Sequence, residues 1–313
     1  MASLRLLFLA SVIPTSFVAC GGGDGQAPPS GPHYTSVANA VTVPANNTQA
    51  RELGLDLDND PAHAVDNQLG MVLGTLANQG FKVQDTVDDA VKKGSIILLL
   101  DLQTPSFTST SGAALQVKLG ATPSPAPCTD PADLTTCGKH LAGTGSFTVA
   151  SGSATDSEVE GTITGGVFKG GPGNLSLQIA LGGSEPINLD LIGARVKATG
   201  LSATGITEAI LAGAITQSDL DTKVIPSVHA QLGPILTRDC QPSPPPDCGC
   251  IANSTGKTIL GLFDTMPKDC TVSIDEIKKN SLIQSLLSPD VTIEGVAALS
   301  LGIKVATVPA TVN

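Results

Sequence analysis

Apolar positions change period three times along this chain, and each change predicts a different element. From Asn67, Leu69, Val72, Leu73 and Leu76 recur at the spacing of one helix face, with Gly80 as a stop. QDTVDDAVKK then opens with acids, closes with lysines and ends at Gly94, the charge order that a helix dipole favours. Strands follow: SIILLLDLQ is a continuous apolar run suited to burial on both faces, while ALQVKLG, GSFTVAS, EVEGTITGGVF, NLSLQIAL and INLDLIGARVKA alternate, separated by turn residues such as GGPGN. From Gly205 the pattern returns to helix. ITEAILAGAI reads as one, and QSDLDTKVIPSVHAQLGPIL as another, with Ser218 and Asp221 as a capping-box-like start and Pro226 as a kink or break. After the proline-rich QPSPPPDCGC loop comes a further helix, IDEIKKNSLIQSLL, and then VAALSLGIKVATV alternates through Leu299, Leu301, Ile303 and Val305 as a returning strand.

Closely spaced strands with short turns predict an α+β, mainly β fold. The expected architecture is an antiparallel β-sandwich or barrel-like sheet with flanking helices and a disulfide-stapled C-terminal helical segment. The returning strand favours a single β-rich domain over 46–313, with helical insertions at 66–93, 205–236 and 274–288.

Composition narrows the function classes. With 41% apolar and 14% charged residues in 313, the chain can bury a core. Its net charge of −11, with no basic cluster, argues against nucleic acid and leaves cationic partners, metal ions above all. Tryptophan is absent and Tyr34 is the single tyrosine, so the aromatic platforms that hold sugars or bases are scarce.

The leader MASLRLLFLASVIPTSFVAC places Arg5 before an apolar run too short to span a bilayer, and small residues before Cys20, which is the layout of a secretory signal over 1–19. Phe17-Val18-Ala19-Cys20 resembles the bacterial lipobox. That resemblance implies a lipidated Cys20, a membrane partner through the acyl anchor, and a place in the bacterial cell envelope as an outer-membrane lipoprotein. GGGDGQAPPSGP reads as the start of a tether over 20–45. Removing Cys20 from seven cysteines leaves an even set, Cys128, Cys137, Cys240, Cys248, Cys250 and Cys270, which predicts three disulfides in an exported chain. A local Cys128–Cys137 bridge is the simplest pairing, and the other four would staple 240–270. A zinc site at CGC plus Cys270 is the competing reading.

Two acidic stretches hold candidate chemistry. Calcium takes six to eight oxygens, so carboxylates must converge from a short segment. In GLDLDNDPAHAVDN, Asp56, Asp58 and Asp60 stand at alternate positions, the Ala62 carbonyl falls seventh and Asn67 twelfth, with Asp66 beside it. The stretch resembles an EF-hand or thrombospondin type 3 loop, although Pro61 stands where the turn glycine belongs. Its alternative is a solvated acidic turn with Asp66 capping the following helix. FDTMPKDCTVSIDEIKKN is similar to the EF-hand pattern, which would make Asp264, Asp269, Ser273 and Glu276 a second metal loop; the alternative there is a metal-free loop held by a disulfide. His63 lacks a partner at metal-ligand spacing, NSTGKT lacks the first P-loop glycine, and GLSATG has one residue too many for a nucleophile elbow. The expected function is therefore a lipid-anchored, calcium-stabilised envelope protein with a structural or binding role toward an unknown protein or glycan, without catalysis. The alternatives are an envelope hydrolase acting on polysaccharide or peptide, and a calcium-dependent carbohydrate-binding module.

Overall fold

The computed structural model describes residues 26–313 except 79–81, 129, 131, 134, 180–185, 242, 246 and 266. The leader with Cys20, the glycine at 80 and the side chain of Leu76 lie outside the described residues.

The described residues form ten strands: β1 (His33–Thr42), β2 (Leu98–Gln103), β3 (Ser109–Ser124), β4 (Gly145–Val149), β5 (Glu158–Thr164), β6 (Val167–Ile179), β7 (Ile187–Ser202), β8 (Gly205–Thr216), β9 (Val291–Ile293) and β10 (Val296–Val312). Pairing runs β1–β2–β3–β5–β6–β7–β8–β10, and β10 returns to β1, so the sheet closes on itself. Every pair around the ring is antiparallel. This is an up-and-down barrel, the closed one of the two architectures expected, and closure leaves the ring no free edge. β4 and β9 are excursions from it. β4 bridges the ends of β3 and β10 outside the barrel, burying Phe147 against Val37, Ile97 and Leu99, and β9 forms a hairpin with β10.

Alternation along the strands fills the interior. Leu98, Leu100 and Leu102 of β2, Leu115, Val117 and Leu119 of β3, and Leu299, Leu301, Ile303 and Val305 of β10 share one buried cluster. Each such side chain stabilises the fold by about 1.5–3 kcal/mol. Outward positions of β7 carry Asn188 and Asp190 instead. A barrel of this strand number is just wide enough for its own side chains.

The two ends of the barrel differ. At one end the turns are short: 104–108, 165–166 and 203–204. The opposite end receives the helices. α1 (Asn47–Glu52), α2 (Gln68–Asn78) and α3 (Val83–Lys92) lie between β1 and β2, and Leu69, Val72, Leu73, Val87 and Val91 join the barrel core. Between β8 and β9 lie α4 (Gln217–Asp219), α5 (Ile225–Asp239), α6 (Thr255–Phe263), α7 (Ile274–Lys279) and α8 (Ser281–Leu286). Their shared apolar cluster holds Ile225, Ile259, Leu260, Phe263 and Ile277. No helix among the described residues is long and apolar enough to cross a membrane.

Several local expectations are corrected. ITEAILAGAI is not a helix but most of β8, because both faces of that strand are covered and no exposed polar row marks a period of two. Leu211 and Ile215 face the barrel core while Ala212 and Ala214 pack in a separate outer cluster, so pairing with β7 and β10 overrides alanine's helix preference. The expected tether ends early, since β1 starts at His33 and buries Val37, Ala38 and Val41. Thr216, not Ser218, caps the next helix, its Oγ1 accepting from the Asp219 amide at 3.2 Å. Pro226 does not break that helical run. A π-type segment, Leu220–Val224, immediately precedes α5, so the expected irregularity takes the form of a widened turn that accommodates the absent N–H rather than a break. The expected helix IDEIKKNSLIQSLL divides at Asn280, whose side chain turns to cap Leu282 and Ile283.

Candidate metal centre

The first acidic stretch lies across the outer wall of the barrel. Leu55 and Leu57 pack against Ala212, Ala214, Val291, Ile293 and Ala298, and strand-like alternation sets Asp56 and Asp58 on the other side. The chain then turns through Asn59, which has φ 60° and accepts a hydrogen bond from Arg195 Nη2 at 2.8 Å. It comes back antiparallel, bridging Leu55 to Asp66. Asp66 donates its amide to Leu55 O at 3.1 Å and accepts the Leu57 amide on Oδ2 at 2.7 Å.

This fold-back collects three carboxylates. One oxygen each from Asp56, Asp58 and Asp66 lies within 4.8 Å of the others. Asp56 Oδ1 accepts from the Asn59 amide at 2.7 Å and Asp58 Oδ1 from the Asp60 amide at 3.0 Å, so each of the three acids has one oxygen engaged and one with no hydrogen bond among the described residues. Asp66 is only 4% exposed. Its carboxyl is pushed up to about 6, first by burial and then by the charges of Asp58, Asp290 and Asp56, against the lowering effect of the Leu57 amide. An all-oxygen, anionic, partly buried donor set suits a hard divalent cation, with water completing the shell.

The remaining residues of the expected loop do other work. Asp60 is turned away: its Oδ1 accepts from the Ala62 amide at 2.9 Å and its Oδ2 pairs with His63 Nδ1 at 2.8 Å, a bond that raises the histidine's pKa. Ala62 is exposed and serves the loop through that amide. Asn67 is no ligand, because every polar atom of its amide is committed. Nδ2 donates to Ala50 O at 2.9 Å and Gly302 O at 3.0 Å, while Oδ1 accepts from the amides of Gly70 at 3.0 Å and Gly302 at 2.8 Å. It is the cap of α2 and the clasp between that helix and β10. Both glycines are required by this clasp, since a Cβ at Gly70 would strike the Asn67 amide and one at Gly302 the Leu53 carbonyl.

Beside the clasp, Ser300 is fully buried; its Oγ accepts from the Gln68 amide at 2.7 Å and donates to Asp290, which also takes the Ser300 amide at 2.8 Å. Neither this backing nor the Arg195 latch emerged from the sequence. Its trace is the run Ala298, Ser300, Gly302 at alternate positions of a strand, small residues that admit a second chain at close range.

The second acidic stretch is built differently. Asp264 is 6% exposed, and its two oxygens accept the amides of Asp269 and Cys270, both at 3.0 Å. Asp269 Oδ1 accepts from Thr271 N at 3.0 Å and Thr271 Oγ1 at 2.6 Å, and those bonds hold its carboxyl below the usual range. Ser273 and Glu276 form a capping box on α7, and Glu276 Oε1 also accepts the Thr265 amide at 2.9 Å. The expected ligands Asp264, Asp269, Ser273 and Glu276 are therefore not brought together. A close group of Asp264, Cys248 and Cys270 does occur, but its two sulfurs are joined in a disulfide.

All six described cysteines are paired, as Cys128–Cys137, Cys240–Cys250 and Cys248–Cys270. The local bridge stands as expected, and the other two staple α5, α6 and the loop before α7. This pairing removes both CGC thiols and Cys270 as zinc ligands. Comparison of the chain with protein-family models, with curated proteins and with solved structures finds no match.

Proposed function

We propose that this chain is a bacterial cell-envelope lipoprotein whose barrel carries one calcium ion at Asp56, Asp58 and Asp66 and serves a structural or binding role rather than a catalytic one. The observation that carries the metal reading is the convergence of these three carboxylates around a nearly buried Asp66. Without a cation they repel one another, and none of the three has an ion-pair partner among the described residues. A bound ion would neutralise the cluster and tie the 55–66 fold-back together. Three disulfides fit an oxidising compartment, which supports export, and the lipobox-like FVAC supports anchoring at Cys20.

Elemental analysis and melting of the mature protein test the metal. About one calcium per chain is expected, and chelation should lower stability by roughly 2–3 kcal/mol if the site is held at a hundredfold its dissociation constant. An unchanged melting midpoint and no calcium by elemental analysis remove the reading.

A further inference from the structure

We infer that the short-turn end of the barrel is the face turned toward the lipid surface, and that the end carrying the acidic loop and helices points away from it. This rests on the reading of Cys20 as the acylated anchor.

The first described residues are pinned at the short-turn end. Ala27 N donates to Ser111 O at 2.9 Å and Thr104 N to Pro32 O at 3.1 Å. Gly31, with φ 95°, lies against the Thr104–Pro105 backbone so closely that a side chain would clash. Gly112 has the carbonyls of Ala27 and Pro28 against it in the same way. The lead-in thus cannot swing toward the other end. From Cys20 to Gln26 the chain reaches no more than about 20 Å. Strands as long as the 16 residues of β7 make the barrel roughly 40 Å tall when tilted, about twice that reach.

Charge points the same way. None of residues 26–32, 104–117, 161–168 and 198–207 is charged, and together they supply the lead-in, the three turns and most of the strand ends beside them; the start of β1 and the end of β2 add the His33–Asp101 pair. Exposed Thr108, Thr164, Ala203 and Thr204 give this end a neutral hydroxyl and backbone surface. Gly166 N donates to Thr108 O at 3.0 Å, joining two of the turns into one face. The opposite end holds the acidic loop and Asp85, Asp88 and Asp89 of α3. A chain of net charge −11 is repelled by an anionic lipid surface, and the repulsion is least where the apposed face carries the fewest charges.

The test uses the full precursor, expressed in a bacterium that processes lipoproteins, with one free cysteine added in each variant, Thr164→Cys and Thr204→Cys at the neutral end and Thr155→Cys at the other. Each is labelled with a fluorophore and reconstituted into phosphatidylcholine–phosphatidylglycerol vesicles containing a lipid with a nitroxide headgroup. Quenching at positions 164 and 204 should exceed that at 155 severalfold. Equal quenching at both ends, or stronger quenching at 155, overturns the orientation when mass spectrometry shows acyl chains on Cys20. Absence of those chains overturns the lipoprotein reading instead.

Discussion

The loops at 54–67 and 264–276 are both acidic, both resemble a calcium loop on paper, and they resolve in opposite ways. In the second, Asp264 and Glu276 take up neighbouring amides, and the acids satisfy the orphan donors of a turn and a helix start. In the first, each of three acids accepts one amide and keeps one oxygen free, and the three face one another. Carboxylate spacing alone does not separate these outcomes. What separates them is the supply of backbone donors: the capping turn before α7 offers one for nearly every oxygen, whereas the 55–66 fold-back offers each of its three facing acids a single amide.

Substitutions can break or sharpen that contrast. The largest effect is expected at the clasp behind the first loop. Asn67→Ala removes four buried hydrogen bonds and leaves their backbone partners unsatisfied, which should cost about 3–5 kcal/mol in denaturant unfolding and lower calcium affinity with it. Next is a change of opposite sign: Asp66→Asn should stabilise the chelated protein near neutral pH by roughly 2–3 kcal/mol while abolishing the stabilisation by calcium. At Asp264 the same kind of exchange should destabilise by about 2 kcal/mol, with no effect on metal content, since an amide cannot accept both the Asp269 and Cys270 donors. Ser273→Ala should cost about 1 kcal/mol through the lost cap, read as a small shift in midpoint.

The pH dependence separates the loops as well. Asp66 titrates at about 6 in the folded chain against an ordinary 3.8, so the folded state holds that proton more tightly between these values. Stability of the chelated protein should therefore decline as pH rises from about 4 to 6, by roughly 3 kcal/mol for this group. Excess calcium should remove the decline, and Asp66→Asn should remove it without calcium. For the second loop the sign is reversed, because Asp269 sits below its ordinary range and its contribution is lost as the solution becomes acid. Unfolding curves with and without chelator measure both when they extend from near neutral pH to below the ordinary carboxylate value of 3.8, where the Asp269 contribution is lost.

Much of the barrel was legible because most of its strands have one face inside and one outside, and alternation reports that directly. β8 was not, since Ala212 and Ala214 are hidden under the connection between β1 and β2, and a strand buried on both sides has no period to read. β1 was missed for a related reason: Ala38, Asn39 and Ala40 make a weak apolar row, and its irregular register with β10 between Ala38 and Ala40 breaks the alternation. At the candidate site, the alternation of Asp56 and Asp58 was visible and their union with Asp66 was only half foreseen. Asn67 was misassigned because a counted position in a loop pattern says nothing about a partner as distant as Gly302. The small residues at 298, 300 and 302 carried that information, and their alternate spacing was read only as a strand.

The Asn67 clasp also imposes an order of assembly. Its partner Gly302 lies in β10, the strand whose pairing with β1 and β8 closes the ring. While the chain emerges from its N-terminus, the acidic loop is complete after its first 67 residues yet has no wall behind it until nearly the last strand arrives. Contacts at so great a separation form late, because loop closure must precede them. If the proposed cation binds at Asp56, Asp58 and Asp66, its capture is a property of the finished barrel, and a truncated or stalled chain would carry the acids without the trap.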